Sequence, residues 1–487
     1  MSTIKSYIEK LLLANGVTIT PDKSAFFDAF TSDEKVIEQF NVIQQNQTEM
    51  VKDYVLRNKI NDIIHNHMQI PNGTVGKTYE TIIDFEQLGW NELIHSEFIG
   101  LEECGLSFDS KNDTISGIPT TSGEYKIKFL FKVDGESENA PLNEKNINLI
   151  INADPKSLWK NVDSDTNDPY WKEDNVADFQ PLGDKHIVVA SKRGRSHANV
   201  GSFRDDDYAF KFYETTGWSV VAVADGAGSA KASRKGSQIA CQEVINYFEK
   251  NLTTTLSSEL DVLIVEHHKE ANAAAEDSTE LIASSDEITI ETTKNKIGRF
   301  IYNHLGSCAK SAHNKLEEFA LANDINSKEL HTTLIFALFK KYEFGYIVMT
   351  FGVGDCPIGI INKDQTDFKL MNWLDVGEFG GGTRFITMPE IFTSDKFVTR
   401  FGFTAIDDFS YLMLMTDGIY DAKFVVESNL EKLEKWNEFI TDLKGTNDDK
   451  CAVVFDANNS EIAHQLSQWM DFWSPGNHDD RTLAIIF

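Results

Sequence analysis

Three apolar runs in this chain stop or start at an aspartate set in a tight turn. Val220-Val221-Ala222-Val223-Ala224 stops at Asp225-Gly226-Ala227-Gly228, and Leu412-Met413-Leu414-Met415 stops at Thr416-Asp417-Gly418. Further on, Asp479-Asp480-Arg481-Thr482 leads straight into Leu483-Ala484-Ile485-Ile486-Phe487. Buried strands that deliver carboxylates to their ends build a cluster of hard oxygens, which repels itself unless divalent cations neutralise it. The chemistry that such a cluster serves is metal-dependent phosphoryl transfer. Glycine after Asp225 and after Asp417 lets the main chain turn sharply and approach an ion. One Asp-Gly by itself is commonly a plain turn; two after apolar runs, with an Asp-Asp before a third run, point to a site.

The rest of the chain must hold those residues in place. Its 487 residues correspond to roughly two to four domains, and at 41% hydrophobic it can bury a substantial core. With 46 basic against 76 acidic residues the formal net charge is −30. That balance argues against nucleic acid or an anionic membrane as partner and suits recruitment of cations; acidity that keeps a protein soluble is the plainer reading. Five scattered cysteines without a CxxC pair fit neither a disulfide framework nor a zinc site, so a reducing compartment is expected. No basic segment precedes a long apolar stretch, and no run approaches the ~18 apolar residues of a membrane span. The expectation is a soluble, cytoplasmic protein.

Residues 1–69 read as helical. Ile4, Ile8, Leu11 and Leu12 share a face that stops at Asn15-Gly16, and Thr20-Pro21 opens a second short helix. From Asp33 to His67, Val36, Phe40, Ile43, Met50, Tyr54, Ile60 and Ile64 lie near heptad spacing, which predicts packing within the chain, a docking surface being the alternative. Ile70-Pro71-Asn72-Gly73 breaks the helical pattern and β character follows over 70–153. In Lys126-Ile127-Lys128-Phe129-Leu130-Phe131 a period of two puts Ile127, Phe129 and Phe131 on one face. Residues 154–183 are polar and turn-rich and read as a linker, pinned to a neighbouring domain by Trp159, Tyr170 and Trp171. Strands and helices alternate over 184–487, interrupted by an Ala/Glu/Ser-rich helical stretch around 255–330, in which His267-His268 reads as a solvated face.

Two resemblances refine this outline. The line Gly105-Leu106-Ser107-Phe108-Asp109, then Thr114-Ile115-Ser116-Gly117-Ile118-Pro119 and Gly123-Glu124-Tyr125, resembles the Ig-like repeats of bacterial proteins over about residues 71–153, modules that serve as spacers or adhesion surfaces. The C-terminal part, roughly residues 185–487, resembles the type 2C metal-dependent serine/threonine protein phosphatases, in particular their bacterial branch. Its motifs come in family order: Gly194-Arg195-Ser196-His197 with Gly201 and Asp205-Asp206-Asp207; Asp225-Gly226-Ala227-Gly228-Ser229 with Ser233 and Gly236; Thr332-Thr333-Leu334; Gly352-Val353-Gly354-Asp355; Gly377-Glu378-Phe379 with Thr383; Thr416-Asp417-Gly418 with Asp421; and Asp479 with Thr482.

That resemblance implies a multidomain chain: a helical N-terminus, an all-β Ig-like sandwich, and an α+β, four-layer α/β/β/α phosphatase domain with two antiparallel sheets. It implies two Mg2+ or Mn2+ ions, bridged by Asp225 with the Gly226 carbonyl as a further ligand. Asp417 and Asp479 complete one ion's sphere and Asp206 supports the site, although Asp205 or Asp207 could replace Asp206. Asp355 is expected either to hold a third metal or to cap a turn. His197 stands where better-known members place a phosphate-binding arginine, with Arg195 and Arg204 nearby; binding phosphate, protonating the leaving seryl oxygen and a structural role are its alternatives. Cys356 is expected to be a small packed residue. The implied activity is hydrolysis of phosphoserine and phosphothreonine in proteins, with a serine/threonine kinase as the opposing partner in bacterial signalling. A catalytically silent phosphoprotein-binding scaffold is the alternative. A nucleotide site at Gly226-x-Gly228 is disfavoured, since the third glycine is missing and Asp225 would repel phosphate.

Overall fold

The computed structural model describes residues 3–276, 292–375 and 382–487, and the chain divides into two compact units, Met1–Leu158 and Trp159–Phe487. In the first, α1 (Thr3–Ala14) ends at Gly16, whose φ of +79° suits glycine. After α2 (Ser24–Thr31), the carboxylate of Asp33 accepts the amides of Lys35 and Val36 at 3.0 and 3.4 Å and so starts α3 (Glu34–His65). Within α3 only Ile63 is buried, while Met50 is 66% and Tyr54 72% exposed. The near-heptad set therefore packs only in part: Phe40 meets Tyr7 of α1 with ring centroids 5.2 Å apart and Ile60 joins the strand core, whereas Met50 and Tyr54 stand exposed. Adjacent pairs such as Val42-Ile43 and Met50-Val51 spread over a broad arc of the helix, and the neighbouring strands cover just its last turns.

Those strands form two sheets. One orders β1 (Gly73–Thr74), β7 (Asn143–Asn152), β6 (Gly123–Val133) and β3 (Leu93–Ile99); the other orders β2 (Tyr79–Ile82), β5 (Thr114–Gly117) and β4 (Leu106–Asp109). Phe98, Phe129 and Leu149 of the first share a core with Tyr79, Leu106 and Ile115 of the second. Along β6 the expected alternation holds, with Ile127, Phe129 and Phe131 fully buried and Lys126 and Lys128 outward.

The second unit is built on two fully antiparallel sheets. The first orders β10 (Asp207–Tyr213), β11 (Trp218–Ala224), β12 (Leu334–Tyr342), β13 (Gly345–Val353) and β16 (Phe401–Ile406). The second orders β15 (Phe368–Leu370), β14 (Ile358–Asn362), β17 (Phe409–Met415), β18 (Arg481–Ile486), β9 (Lys185–Lys192) and β8 (Asn175–Leu182). Successive side chains of a strand serve opposite faces, so one apolar run can fill two cores. In β11, Val221 and Val223 join Leu412 and Leu414 of β17 in a core shared by the two sheets. Val220, Ala222 and Ala224 instead pack with α5 (Ser233–Asn251), α6 (Thr254–Glu276) and α7 (Thr293–Ala322). Met413 and Met415 pack with α8 (Asp417–Phe424), α9 (Leu433–Leu443) and α10 (Ile462–Trp469). Burial on both faces explains why these strands read as continuous apolar runs.

The expected linker is largely structured. Residues 175–182 form β8, paired with β9 along its whole length from Asn175↔Lys192 to Leu182↔Lys185. The preceding segment, 159–174, lies in the same unit. Its polar, turn-rich composition serves hydrogen bonds within the segment, accepted by Asp165, Asp168 and Asp174, and Pro181 is tolerated in β8 because an edge strand need not donate on both sides. The His267-His268 pair is also less solvated than expected. His268 stacks on Phe344 with ring centroids 3.8 Å apart, and His267 Nδ1 lies 3.3 Å from Thr293 Oγ1. Among the described residues no helix is long and apolar enough to cross a membrane.

Candidate metal centre

Register brings the aspartates together. Asp207 of β10 pairs with Ala224 of β11, and Leu334 of β12 pairs with Val353 of β13. Met415 of β17 pairs with Leu483 of β18, and Arg481 pairs with Lys192 of β9. Asp206, Asp225 and Asp355 therefore leave one sheet, and Asp417 and Asp479 leave the other, at the same edge of the stack. Tight local packing fixes each turn. Thr333 Oγ1 accepts the Asp225 amide at 2.9 Å, and Thr332 Oγ1 donates to the Asp225 carbonyl at 2.8 Å, which gives the Thr332-Thr333-Leu334 motif its use. A methyl group on Gly226 would lie 2.5 Å from the Asp205 carbonyl oxygen, and one on Gly418 just 1.9 Å from that of Asp480. Glycine is required at both positions by close approach.

Electrostatics then distinguishes the carboxylates. Burial, with the charges of Asp417, Asp206, Asp479 and Asp355, pushes the Asp225 carboxyl well above the usual range. Asp417 is raised by burial and by Asp479, Asp355 and Asp206. Asp206 is pushed up to about 8 by burial and Asp480, although Thr416 and Thr482 donate to its Oδ2 at 2.8 and 2.9 Å. Asp355 is raised chiefly by burial and accepts Thr383 Oγ1 at 2.7 Å. Three oxygens, Asp206 Oδ1, Asp355 Oδ1 and Asp417 Oδ1, are buried with no hydrogen-bond partner among the described residues. An orphaned carboxylate oxygen is costly, and such a cluster takes up protons or cations. The hard-oxygen donor set suits Mg2+ or Mn2+.

Within the Asp205-Asp206-Asp207 triplet the three side chains part company. Asp207 pairs with Lys172 at 2.9 Å, and Asp205 Oδ2 lies 3.8 Å from His197 Nε2. Of the three, Asp206 is the one with a fully buried, unpartnered oxygen. His197, in the short helix α4 (Arg195–Val200), places Nδ1 3.0 Å from Asp480 Oδ1. Burial opposes its protonation, but that hydrogen bond and the charges of Asp480, Asp205 and Asp479 push the imidazole up to about 9. The fully buried Asp480 also accepts the amides of Gly194 (2.6 Å) and Asp205.

The nearby arginines are engaged elsewhere. Arg204 is buried and donates to Ser191 Oγ and to the Glu173 and Asp206 carbonyls; Arg195 donates to the Asp471 carbonyl and lies over Trp473. Cys356 is buried against Thr333 Oγ1 at 3.3 Å, and burial raises its thiol well above the usual value, as suits a packed, neutral residue. Of the Gly377–Thr383 motif, residues 377–381 lie outside the described residues. Sequence reasoning gave no role to Asp480, whose visible signal was its place beside Asp479, and considered Asp205 only as a replacement for Asp206, whereas its carboxylate lies toward His197.

A family model described as Protein phosphatase 2C matches residues 193–471. Similar solved structures include the serine/threonine phosphatase Stp1 from Staphylococcus aureus, 16% identical, covering 63% of this chain and 96% of that one at a TM-score of 0.32. The S. agalactiae serine/threonine phosphatase is 14% identical, covering 62% and 99% at 0.30. The catalytic domain of the serine threonine protein phosphatase PstP, in complex with 2 manganese ions, is 12% identical, covering 62% and 96% at 0.34. No curated protein matches the chain. With the family match spanning more than half of its length and enclosing the strand-end aspartates up to Asp417, the chain belongs to the protein phosphatase 2C family of metal-dependent serine/threonine phosphatases.

Proposed function

We propose that the strand-end aspartates form a two-cation centre with which this chain hydrolyses phosphoserine and phosphothreonine in proteins. The observation that carries the reading is the convergence of three buried, unpartnered carboxylate oxygens at one edge of two sheets. Asp225 would bridge both ions with the Gly226 carbonyl beside it, Asp417 and Asp479 would complete one sphere, and Asp206 would support the site. Asp355 would hold a weaker third ion. When bound, the cations supply charge neutralisation of the phosphate and acidification of a water for in-line attack.

The chain's own residues do the rest. Asp480 accepts a hydrogen bond from His197 Nδ1–H, which orients the ring and favours its protonated form. His197 Nε2–H is then available to a phosphate oxygen or to the leaving seryl oxygen. The family acts on phosphoproteins; an opposing serine/threonine kinase and a cytoplasmic setting belong to the proposal, as do a four-layer α/β/β/α arrangement of the catalytic unit and an Ig-like spacer role for residues 70–153. The deciding assay is release of phosphate from p-nitrophenyl phosphate and from phosphoserine, phosphothreonine and phosphotyrosine peptides, in Mn2+ and in EDTA. Mn2+-dependent turnover of the serine and threonine peptides is expected. Peptide binding without turnover would leave the scaffold reading instead.

A further inference from the structure

One buried cation reaches the edge of the candidate metal centre from the segment expected to be a linker. Lys172 is 9% exposed. Its Nζ donates to the Asp206 carbonyl at 2.6 Å and to Asp207 Oδ2 at 2.9 Å, with Ser237 Oγ at 3.3 Å. Arg204 Nη1 donates to the same Asp206 carbonyl at 2.6 Å. A carbonyl oxygen has two lone pairs, and here both face charged donors, which make the stronger hydrogen bonds. With Oδ2 of Asp206 held by Thr416 and Thr482, the main chain and one carboxylate oxygen are fixed, and Oδ1 is left as the single unpartnered oxygen.

The segment that delivers Lys172 is anchored at each turn. The Val162 amide donates to the Ala198 carbonyl at 2.8 Å, and Asp168 pairs with the buried Arg234 at 2.7 Å. Trp171 Nε1 donates to Ser164 Oγ, which donates to Asp174, itself paired with Arg193 at 3.1 Å. These partners flank α4 and the start of α5, the elements next to His197 and Asp225.

We propose that Lys172 is a positioning residue for the metal centre, setting the Asp206 main chain so that its free carboxylate oxygen is presented to a cation. The inference rests on the two-cation reading above. Outer partners of this kind are worth about 10–100-fold in metal affinity.

The test uses the full chain and Mn2+ alone, titrated calorimetrically or by the free-Mn2+ paramagnetic resonance signal, with Lys172→Met, Lys172→Arg and a control. Lys185 provides that control. It is equally buried and donates to Asp408 and to the Phe409 carbonyl, but it starts β9, at the end away from Lys192 and the site. Lys172→Met should weaken Mn2+ binding about tenfold or more and shrink the Mn2+-induced rise in melting temperature, with Lys172→Arg recovering part of both. Lys185→Met should lower the melting temperature with and without Mn2+ and leave the affinity alone. Wild-type affinity in Lys172→Met, or an equal loss in Lys185→Met, overturns the assignment. If Lys172→Met does not fold, Lys172→Arg and Asp207→Asn are read in its place, and wild-type affinity in both overturns it equally. Failure of the wild-type protein to bind Mn2+ at all refutes the two-cation reading itself, a result distinct from either.

Discussion

Replacing Asp225 by Asn should separate two effects that the intact centre combines. Ligating oxygens of Asp225 and Asp355 can lie within 4.8 Å of one another. Two unit charges at that distance repel by about 3.5 kcal/mol at an effective dielectric of ~20, before Asp417, Asp206 and Asp479 are added. The metal-free protein avoids this by keeping protons, which is why Asp225 and Asp417 are raised well above the usual range and Asp206 to about 8. The sign follows from linkage. A carboxyl whose folded value exceeds its unfolded value near 3.8 contributes stability that is fully present below 3.8 and is lost as pH rises through the folded value, about 8 for Asp206. In EDTA, wild-type stability should therefore fall between about pH 4 and pH 9. Asp225→Asn, which mimics the neutral acid, should match wild type near pH 5 and exceed it near pH 9 by a few kcal/mol at most. In millimolar Mn2+ the order should reverse, since the variant loses the charge proposed to bridge the cations and with it the mass-action gain, ~2.7 kcal/mol at a hundredfold excess over the dissociation constant. Thermal unfolding at both pH values, with and without Mn2+, reads all four corners, and turnover of p-nitrophenyl phosphate should drop by orders of magnitude. A variant less stable than wild type in EDTA at pH 9, or one with near-normal turnover, refutes the reasoning.

Asp480→Asn should lower the imidazole pKa of His197 from about 9 toward 6.5, seen by NMR titration; an unmoved imidazole would deny Asp480 its orienting role. Gly418→Ala should abolish Mn2+ binding, because a Cβ 1.9 Å from the Asp480 carbonyl oxygen forces apart the turns that carry Asp417 and Asp479; a calorimetric titration like that of wild type would contradict the packing. A fragment beginning at Trp159 should retain Mn2+-dependent turnover, whereas one beginning at Gly183 should not, since it lacks β8, Lys172 and the Asp168–Arg234 pair. Equal activity of the two fragments would show that those elements are dispensable.

The strand-end aspartates were legible in the sequence because two local signals coincide there: an apolar run buried on both faces, then a residue pair that turns. Asp206 was harder to single out, since three adjacent aspartates look alike until Lys172 takes Asp207 and His197 faces Asp205. Lys172 itself was invisible. Its partners lie 34, 35 and 65 residues away, and its own neighbourhood has the Asp, Asn and Pro content of a loop. β8 was hidden by Pro181, which argues against a central strand and is silent about an edge. The long helix α3 shows the converse: spacing identified the helix correctly, but near-heptad periodicity says nothing about whether a partner covers it.

The carboxylates also straddle a seam. Asp206, Asp225 and Asp355 belong to the sheet of β10–β13, Asp417 and Asp479 to that of β17 and β18, and the hydroxyls of Thr416 and Thr482 already stitch Asp206 across the gap. Cations held there, as proposed, would act as a clasp on one open end of the stack. The two sheets could not then part at that edge without surrendering ligands, so the chemistry and the mechanical closure would depend on the same bonds. Amide exchange in β11 and β17 should then slow together when Mn2+ is added, although 188 residues separate the Val223 and Tyr411 amides along the chain.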